Sequence, residues 1–241
     1  MNTNRRLGIL AWLVVAIAVS CQSTTKELRT DRIAVSNMTH PPFSSWSATG
    51  AAIGIEIDLV AAAMDSRGES VAWAEHPFGD LLDLVATGRA DVAAATIGIT
   101  AERAQRVAFT EPYFRTQIVA LVRVGSDEPT TLADLRLRTI GVDPGTTALP
   151  AAIAALPDAR RVIRPTDGAN WGDMLRTRSI DAMIIDATDL DRLQEQAGIP
   201  LQALPTALAD EHFALAVAWD APELLESLNR AVRDYVARQP R

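Results

Sequence analysis

Short apolar runs alternate with longer amphipathic stretches from residue 31 to the end of the chain. The apolar runs have the length of buried strands, and the stretches between them carry apolar residues at helical spacing. The predicted strands include RIAVS, SVAWAE, DVAAATI, QIVALVRV, TIGV, ARRVIR, IDAMIID and HFALAVAW. The predicted helices include EIDLVAAAMDSRG, GDLLDLVATG, TTALPAAIAAL, TDLDRLQEQAG and the final APELLESLNRAVRDYVARQ. This alternation predicts an α/β fold.

Two segments of the chain have similar patterns, FGDLLDLVATGRADVAAAT (78–96) and WGDMLRTRSIDAMIID (171–186). Each runs from an aromatic residue, glycine and aspartate through a short helix into an apolar strand. The strand ends on a polar residue in both cases, Thr96 in the first and Asp186 in the second. Since open α/β sheets bind ligands at the carboxyl ends of their strands, we expect two lobes that both offer polar groups to a ligand.

The first twenty residues are predicted to be a secretory signal peptide (1–20), because two arginines precede an apolar stretch too short to span a membrane comfortably. Cys21 is the only cysteine, and the AVSC around it is similar to a lipidation site, so we expect a lipid anchor there. Cleavage after Ala18 is the alternative. The polar residues 21–31 then form a tether. An exported chain with one cysteine has no internal disulfide.

Charge and histidine content exclude two classes of function. The formal net charge is −7, and no basic run is present, which argues against a nucleic-acid-binding protein. The three histidines, His40, His76 and His212, lack metal-ligand spacing, so we expect neither a metal nor another cofactor.

The segment TIGITAER (96–103) has the composition of an anion site. Thr96 and Gly98 end an apolar strand, and Gly98 would let a ligand approach the backbone closely. Thr100 is a candidate helix cap, and the guanidinium of Arg103 has the fork geometry that carboxylates favour. The alternative is a capped helix whose Arg103 pairs at the surface with Glu102 or Glu111.

Five motifs occur in one order along the chain: HPPF (40–43), GIEIDL (54–59), GITAERAQRVAFTEPYF (98–114), GVDPGTT (141–147) and IDAMIID (180–186). Together they resemble the extracytoplasmic solute-binding proteins of polar amino acid ABC transporters (solute-binding family 3). The resemblance covers about residues 31 to 236.

The resemblance implies a two-lobed periplasmic-binding-protein type II fold, in which each lobe is a mixed sheet flanked by helices and the ligand lies in a cleft between the lobes. Lobe 1 would hold residues 31–115, with 208–241 returning to it, and lobe 2 residues 116–207. The hinge would lie where the chain crosses between lobes, near residues 115–117 and 207–211.

The resemblance also implies roles for individual residues. Arg103 would bind the α-carboxylate of an amino acid, and Asp186 would bind its α-ammonium. Thr96, Gly98 and Thr147 would give the carboxylate and the ammonium further hydrogen bonds, largely through the backbone. The positions that match the side-chain pocket are Asn37, His40, Glu56 and Phe78. Two departures affect this pocket: His40 stands where the family typically has a stacking aromatic residue, and Gly98 replaces a common serine.

The implied function is the capture of a small polar amino acid and its delivery to ABC permease subunits outside the cytoplasm, by a protein expected to be a monomer. One alternative is an enzyme, because cyclohexadienyl dehydratases resemble this family. They need an acid just after the GVDPGTT-type turn, where this chain has Ala148, Leu149 and Pro150. The other alternative is a ligand-sensing or scavenging protein on the same scaffold.

Overall fold

The computed structural model describes residues 31–163 and 170–239. The predicted signal peptide and Cys21 lie outside the described residues, as does the tether except for its last residue. Among the described residues, no helix has both the length and the apolar character required to span a membrane.

Thirteen strands are present in the described part of the chain. They are β1 (Asp31–Ser36), β2 (Thr39–His40), β3 (Ser44–Trp46), β4 (Ala52–Ile53), β5 (Ser70–Glu75), β6 (Val92–Gly98), β7 (Ala108–Phe109), β8 (Phe114–Arg123), β9 (Thr139–Val142), β10 (Arg160–Ile163), β11 (Ala182–Asp186), β12 (Leu201–Ala203) and β13 (Ala209–Val217).

Six α-helices connect these strands in the same part of the chain. They are α1 (Ile55–Asp65), α2 (Leu81–Ala86), α3 (Ala148–Ala155), α4 (Trp171–Arg176), α5 (Leu190–Ala197) and α6 (Pro222–Arg238). Short 3₁₀ helices occur at Phe78–Asp80, Arg103–Gln105, Leu132–Leu135 and Ala187–Asp189. Pro150 falls in the first turn of α3, where its missing N–H has no helical partner to lose.

Ten of the strands form one continuous sheet in the order β10-β9-β11-β8-β13-β6-β1-β5, with β12 added to β8 and β7 to β13. Strands β8 and β13 lie antiparallel to each other in its middle. On either side the sheet is mixed, with parallel pairs such as β1 with β5 and β9 with β10. Strands β2, β3 and β4 form a separate small sheet.

The molecule has two lobes, each built on one part of this continuous mixed sheet and on its own helices. In the first lobe, α1 and α6 pack on one face of the sheet through residues such as Leu59 and Leu228, and α2 packs on the other face. In the second lobe, α3 covers one face, and α4 and α5 cover the other. Among the described residues, the buried side chains of each core cluster come from one lobe, and a cleft lies between the lobes.

The predicted strands and helices are confirmed within the described residues, with one correction. The segment that follows Thr100 forms a turn and the three-residue 3₁₀ helix Arg103–Gln105, and not the start of an α-helix. The short strands β2, β3, β4, β7 and β12 were not predicted, because two or three residues are too few to show a period in the sequence.

Candidate functional site

A cavity of about 370 Å³ lies between the lobes. Four parts of the chain supply most of its polar walls: the loop after β1, the end of β6, the turn after β9 and the end of β11. Strand ends carry backbone groups that no longer pair within the sheet, so polar residues there can face a ligand. Both lobes therefore contribute to one site.

Arg103 faces this cavity from the turn that follows β6. The Thr100 hydroxyl accepts a hydrogen bond from the Arg103 backbone N–H at 3.1 Å and fixes the turn. Nη1 of Arg103 donates to the carbonyl of Gly98 at 2.6 Å, and Nη2 donates to the carbonyl of Gly145, in the other lobe, at 2.8 Å. The guanidinium carbon lies 5.5 Å from the centre of the Phe78 ring, within cation–π range.

The alternative in which Arg103 is a surface arginine paired with Glu102 or Glu111 is wrong. Arg103 forms an ion pair with neither carboxylate, and Glu111 instead accepts from Arg233 at 2.8 Å. Burial lowers the pKa of Arg103, which indicates that its charge has lost solvation in the cleft. A partly desolvated guanidinium at a cavity wall is suited to binding an anion.

Asp186 ends β11 in the second lobe. Its carboxyl group is buried in the cavity wall, and Oδ1 has no hydrogen-bond partner among the described residues. Burial is the main reason why the pKa of Asp186 is raised to about 8, and the nearby carboxyl groups of Glu211 and Asp189 raise it further. A cationic group in the cavity would relieve both effects.

Glu211 is a second buried acid in the cavity wall, on β13. Its Oε1 accepts a hydrogen bond from the Thr147 hydroxyl at 2.9 Å. A Cβ atom built on Gly98 would collide with Oε1 of Glu211 and come within 2.7 Å of its Cδ. Burial raises the pKa of Glu211, whereas Thr147 and Arg103 oppose that rise. The absence of a side chain at Gly98 is what leaves room for this carboxyl group.

His40 joins the two lobes at another side of the cavity. Its Nδ1 lies 3.2 Å from the Thr96 hydroxyl, while Nε2 lies 3.5 Å from the Thr188 hydroxyl and 3.6 Å from Oδ1 of Asp189. Asp189 is itself paired with Arg192, whose Nε donates at 2.7 Å. Burial lowers the pKa of His40, an effect that Asp189 partly offsets.

The structure brings together eight of the nine residues predicted to bind a ligand. These eight line the cavity: Asn37, His40, Phe78, Thr96, Gly98, Arg103, Thr147 and Asp186. Four charged residues of the wall were missed in the sequence: Asp143, Asp189, Arg192 and Glu211. Asp189 and Arg192 follow Asp186 closely in the chain, so their position after a strand that ends in the site was a usable signal.

Glu56, the ninth predicted residue, lies beneath the cavity and not in its wall. It is fully buried, and its Oε1 accepts from the Thr96 N–H at 2.8 Å and from the Tyr113 hydroxyl at 2.7 Å. Thr96 has a φ of +48°, a conformation that residues other than glycine rarely adopt. Glu56 therefore holds the strand end that forms the cavity wall.

We expect Glu56→Ala to lower the free energy of unfolding by about 2–4 kcal/mol, because the Thr96 N–H and the Tyr113 hydroxyl lose their buried acceptor. Urea denaturation measures this change. Glu56→Gln retains a carbonyl oxygen at the same place, so this variant should lose only about 1 kcal/mol of unfolding free energy. Equal losses in the two variants would contradict the hydrogen-bonding role.

The comparison with protein families identifies the class of molecule to which this cleft belongs. The model of the bacterial extracellular solute-binding proteins, family 3, matches residues 32–239. The chain belongs to this family. Its two-lobed architecture is accordingly that of an extracytoplasmic solute-binding protein.

Two relatives of this solute-binding protein match it over 201 residues. ABC transporter arginine-binding protein 1 of Escherichia coli is 27% identical, over 80% of this chain and 80% of its own. The L-arginine-binding protein of Pseudomonas aeruginosa is also 27% identical, over 80% of this chain and 78% of its own.

Solved structures show the same fold. An ancestral arginine-binding protein bound to glutamine has a TM-score of 0.74 and 25% identity, covering 88% of this chain and 94% of its own. The holo arginine-binding protein of T. maritima has a TM-score of 0.73 and 25% identity, covering 88% and 92%. An ancestral amino acid-binding protein described as a precursor of cyclohexadienyl dehydratase has a TM-score of 0.74 at 23% identity, covering 87% and 91%, a likeness of fold alone.

Proposed function

We propose that this solute-binding protein captures an L-α-amino acid in the interlobe cleft and delivers it to the membrane permease of an ABC transporter. One observation carries the proposal. The guanidinium of Arg103 and the carboxyl group of Asp186, whose buried Oδ1 has no hydrogen-bond partner among the described residues, belong to different lobes and line the same cavity. A zwitterion needs one fixed cation and one fixed anion, and this cavity offers both.

In this proposal the guanidinium of Arg103 binds the α-carboxylate with charge-assisted hydrogen bonds. The N–H groups of Gly98 and Thr147 would complete its environment, because the Thr96 N–H and the Thr147 hydroxyl already donate to Glu56 and Glu211. Asp186 accepts hydrogen bonds from the α-ammonium, whose charge favours the ionised form of this acid. Asn37, His40 and Phe78 line the remaining wall and would contact the ligand's side chain.

The balance of charge in the cleft favours a polar ligand with a cationic side chain. Four carboxyl groups and two guanidinium groups line the cavity: Asp143, Asp186, Asp189, Glu211, Arg103 and Arg192. An α-amino acid is neutral in its backbone, so the excess of acids is best complemented by a positive side chain. The relatives that bind arginine support this class of ligand.

The proposed motion is closure of the lobes about the two central strands. We assign residues 31–115 and 208–241 to lobe 1 and residues 116–207 to lobe 2. The predicted crossings lie side by side, with Arg115 opposite His212 and Gln117 opposite Asp210. A ligand that contacts both lobes binds the closed form better and shifts the population towards it.

The proposed cellular setting follows from the first residues of the chain. Residues 1–20 would direct export, and Cys21 would carry a lipid that holds the protein at the membrane surface, near the permease. The protein would work as a monomer without a metal or cofactor. Incorporation of a radiolabelled fatty acid into the wild type, and not into a Cys21→Ser variant, tests the anchor.

A thermal-shift screen tests the proposed function. The purified protein is unfolded and refolded to remove bound ligand, then heated with each common L-amino acid and with the matching deaminated acid. A ligand at 100 times its Kd stabilises the folded state by about 2.7 kcal/mol, which should raise Tm by several degrees. We expect basic or polar amino acids to give the largest shifts and the deaminated acids none. Refolded protein that responds to no amino acid would refute the proposal.

A further inference from the structure

Glu211 occupies a position that the amino acid-binding role alone does not account for. It lies opposite Thr116 of β8, and Asp186 lies opposite Ile118 of the same strand. Residues two apart on a strand face the same side of a sheet, so the two acids stand on one face, on the two strands that flank β8. This face of the sheet thus carries two carboxyl groups at the cavity, whereas binding the ligand's ammonium requires only one.

The carboxyl group of Glu211 lies among groups that are expected to hold the ligand's α-carboxylate. It accepts the Thr147 hydroxyl at 2.9 Å, and it fills the space next to Gly98 that a side chain at that position would take. Among the neighbouring titratable groups, Arg103 and His212 act to lower the pKa of Glu211, and Glu211 in turn raises the pKa of Asp186. Glu211 therefore lies beside the place proposed for the ligand's α-carboxylate.

A ligand carboxylate bound by Arg103 would come close to this acid. Two carboxyl groups that share a site cannot both be ionised without a large repulsion, and one of them takes up a proton. The protonated group can then donate a hydrogen bond to the ionised one. Glu211 is already buried, and burial raises its pKa, so it is the group whose protonation is easier.

We propose that Glu211 is a further ligand-contacting residue, whose protonated carboxyl group donates a hydrogen bond to the α-carboxylate of the bound amino acid. This inference rests on the proposed function. It makes ligand capture a proton-coupled step at Glu211. It also explains why Gly98 bears no side chain, since the donor at this end of the ligand comes from β13 instead.

The number of protons bound with the ligand tests the proposal. Isothermal titration calorimetry in buffers of different ionisation enthalpy measures this number from pH 5.5 to 8.5. The probes are L-arginine and L-glutamine, which carry a charged and a neutral side chain on the same backbone. Wild type is compared with Glu211→Gln, in which an amide donates permanently and does not titrate. Proton release from Asp186 differs between the two proteins, because Glu211 raises the pKa of Asp186. L-argininamide keeps the ammonium but lacks the carboxylate, so it measures that release separately in each protein.

We expect wild type to take up more protons per ligand than Glu211→Gln, with a difference of about half a proton or more at its maximum. At pH 8, where the wild-type carboxyl group must first gain a proton, the glutamine variant should bind at least as tightly. With L-argininamide, which lacks the carboxylate, wild type should show no such excess of proton uptake. Glu102→Gln, which removes an exposed carboxylate next to Arg103, should behave as wild type.

Equal proton numbers in wild type and Glu211→Gln across this pH range would overturn the proposal, as would an equal difference with L-argininamide. A second variant tests the same contact without a glutamine at position 211. Gly98→Ser in a Glu211→Ala background places a hydroxyl donor in the vacated space, and it should bind more tightly than Glu211→Ala alone, with no extra proton uptake. Failure of this rescue would also count against the contact. Wild type that binds no amino acid at all would instead refute the proposed function.

Discussion

Replacing Arg103 with alanine is expected to weaken amino acid binding by about 30- to 3,000-fold and to leave the protein folded. Truncating one partner of a buried, hydrogen-bonded charge pair costs about 2–5 kcal/mol, and each 1.4 kcal/mol is tenfold in affinity. Among the described residues, Arg103 is the only arginine that lines the cavity from the first lobe. Its removal would therefore leave the ligand carboxylate without a guanidinium partner there. Calorimetric titration with the amino acid selected by the screen measures the loss.

The fold should tolerate this change, because Arg103 belongs to a turn and to no core cluster of the described residues. Its side chain donates to the carbonyls of Gly98 and Gly145, which water can reach once the guanidinium is gone. Arg106→Ala is the matched control, since this exposed arginine lies one turn further on and pairs with Asp83. Unchanged affinity in Arg103→Ala, or an equal loss in Arg106→Ala, would contradict the assignment.

Much of this site could be predicted from the sequence because its residues lie in local patterns. Thr96 and Asp186 end strands that are visible as apolar runs, and Arg103 and Thr147 lie within short motifs. Topology then brings strand ends to one edge, so the order of strands and helices is enough to place them together. A two-residue strand such as β2 is too short to show such a pattern in the sequence, and its pairing with β3 depends on tertiary contacts.

Glu211 could not be predicted in the same way, because its role depends on the register between β13 and β8. Nothing near Glu211 in the chain indicates that it faces Gly98 and Thr147, which lie 113 and 64 residues earlier. Glu56 shows the converse error. Its motif suggested a ligand pocket, but its Oε1 accepts from the Thr96 N–H at the strained strand end and from the Tyr113 hydroxyl, beneath the cavity.

The acids of the cleft connect binding to stability. An ionisable group that is positioned to bind a ligand has no partner while the site is empty, and this lowers the stability of the folded protein. Asp186 shows this most clearly, because its pKa of about 8 lies far above the ordinary value of 3.8. The ionised carboxylate is therefore disfavoured in the empty cleft. A cationic ammonium group would reverse the preference and would lower this pKa.

Replacing Asp186 with asparagine is expected to have opposite effects on binding and on stability. Affinity for the amino acid should fall by at least ten- to a hundred-fold, or about 1.4–2.8 kcal/mol, because the ammonium loses its charged acceptor. The ligand-free variant should nevertheless be more stable than wild type at neutral pH, by an amount on the order of a few kcal/mol. Urea denaturation and calorimetric titration measure the two effects.

The pH dependence gives the sign of the stability effect. Between about pH 4 and pH 8, folded wild type retains a proton on Asp186 that the unfolded chain has lost, so its stability falls as the pH rises through this range. Asparagine does not titrate in this range. The excess of the variant's free energy of unfolding over that of wild type should therefore grow from pH 4 and level off above pH 8. Asp191→Asn, at an exposed position on α5, is the control and should show no such trend. A variant that is less stable than wild type at pH 8, or that still prefers amino acids to their deaminated acids, would show that Asp186 is not the ammonium-binding group.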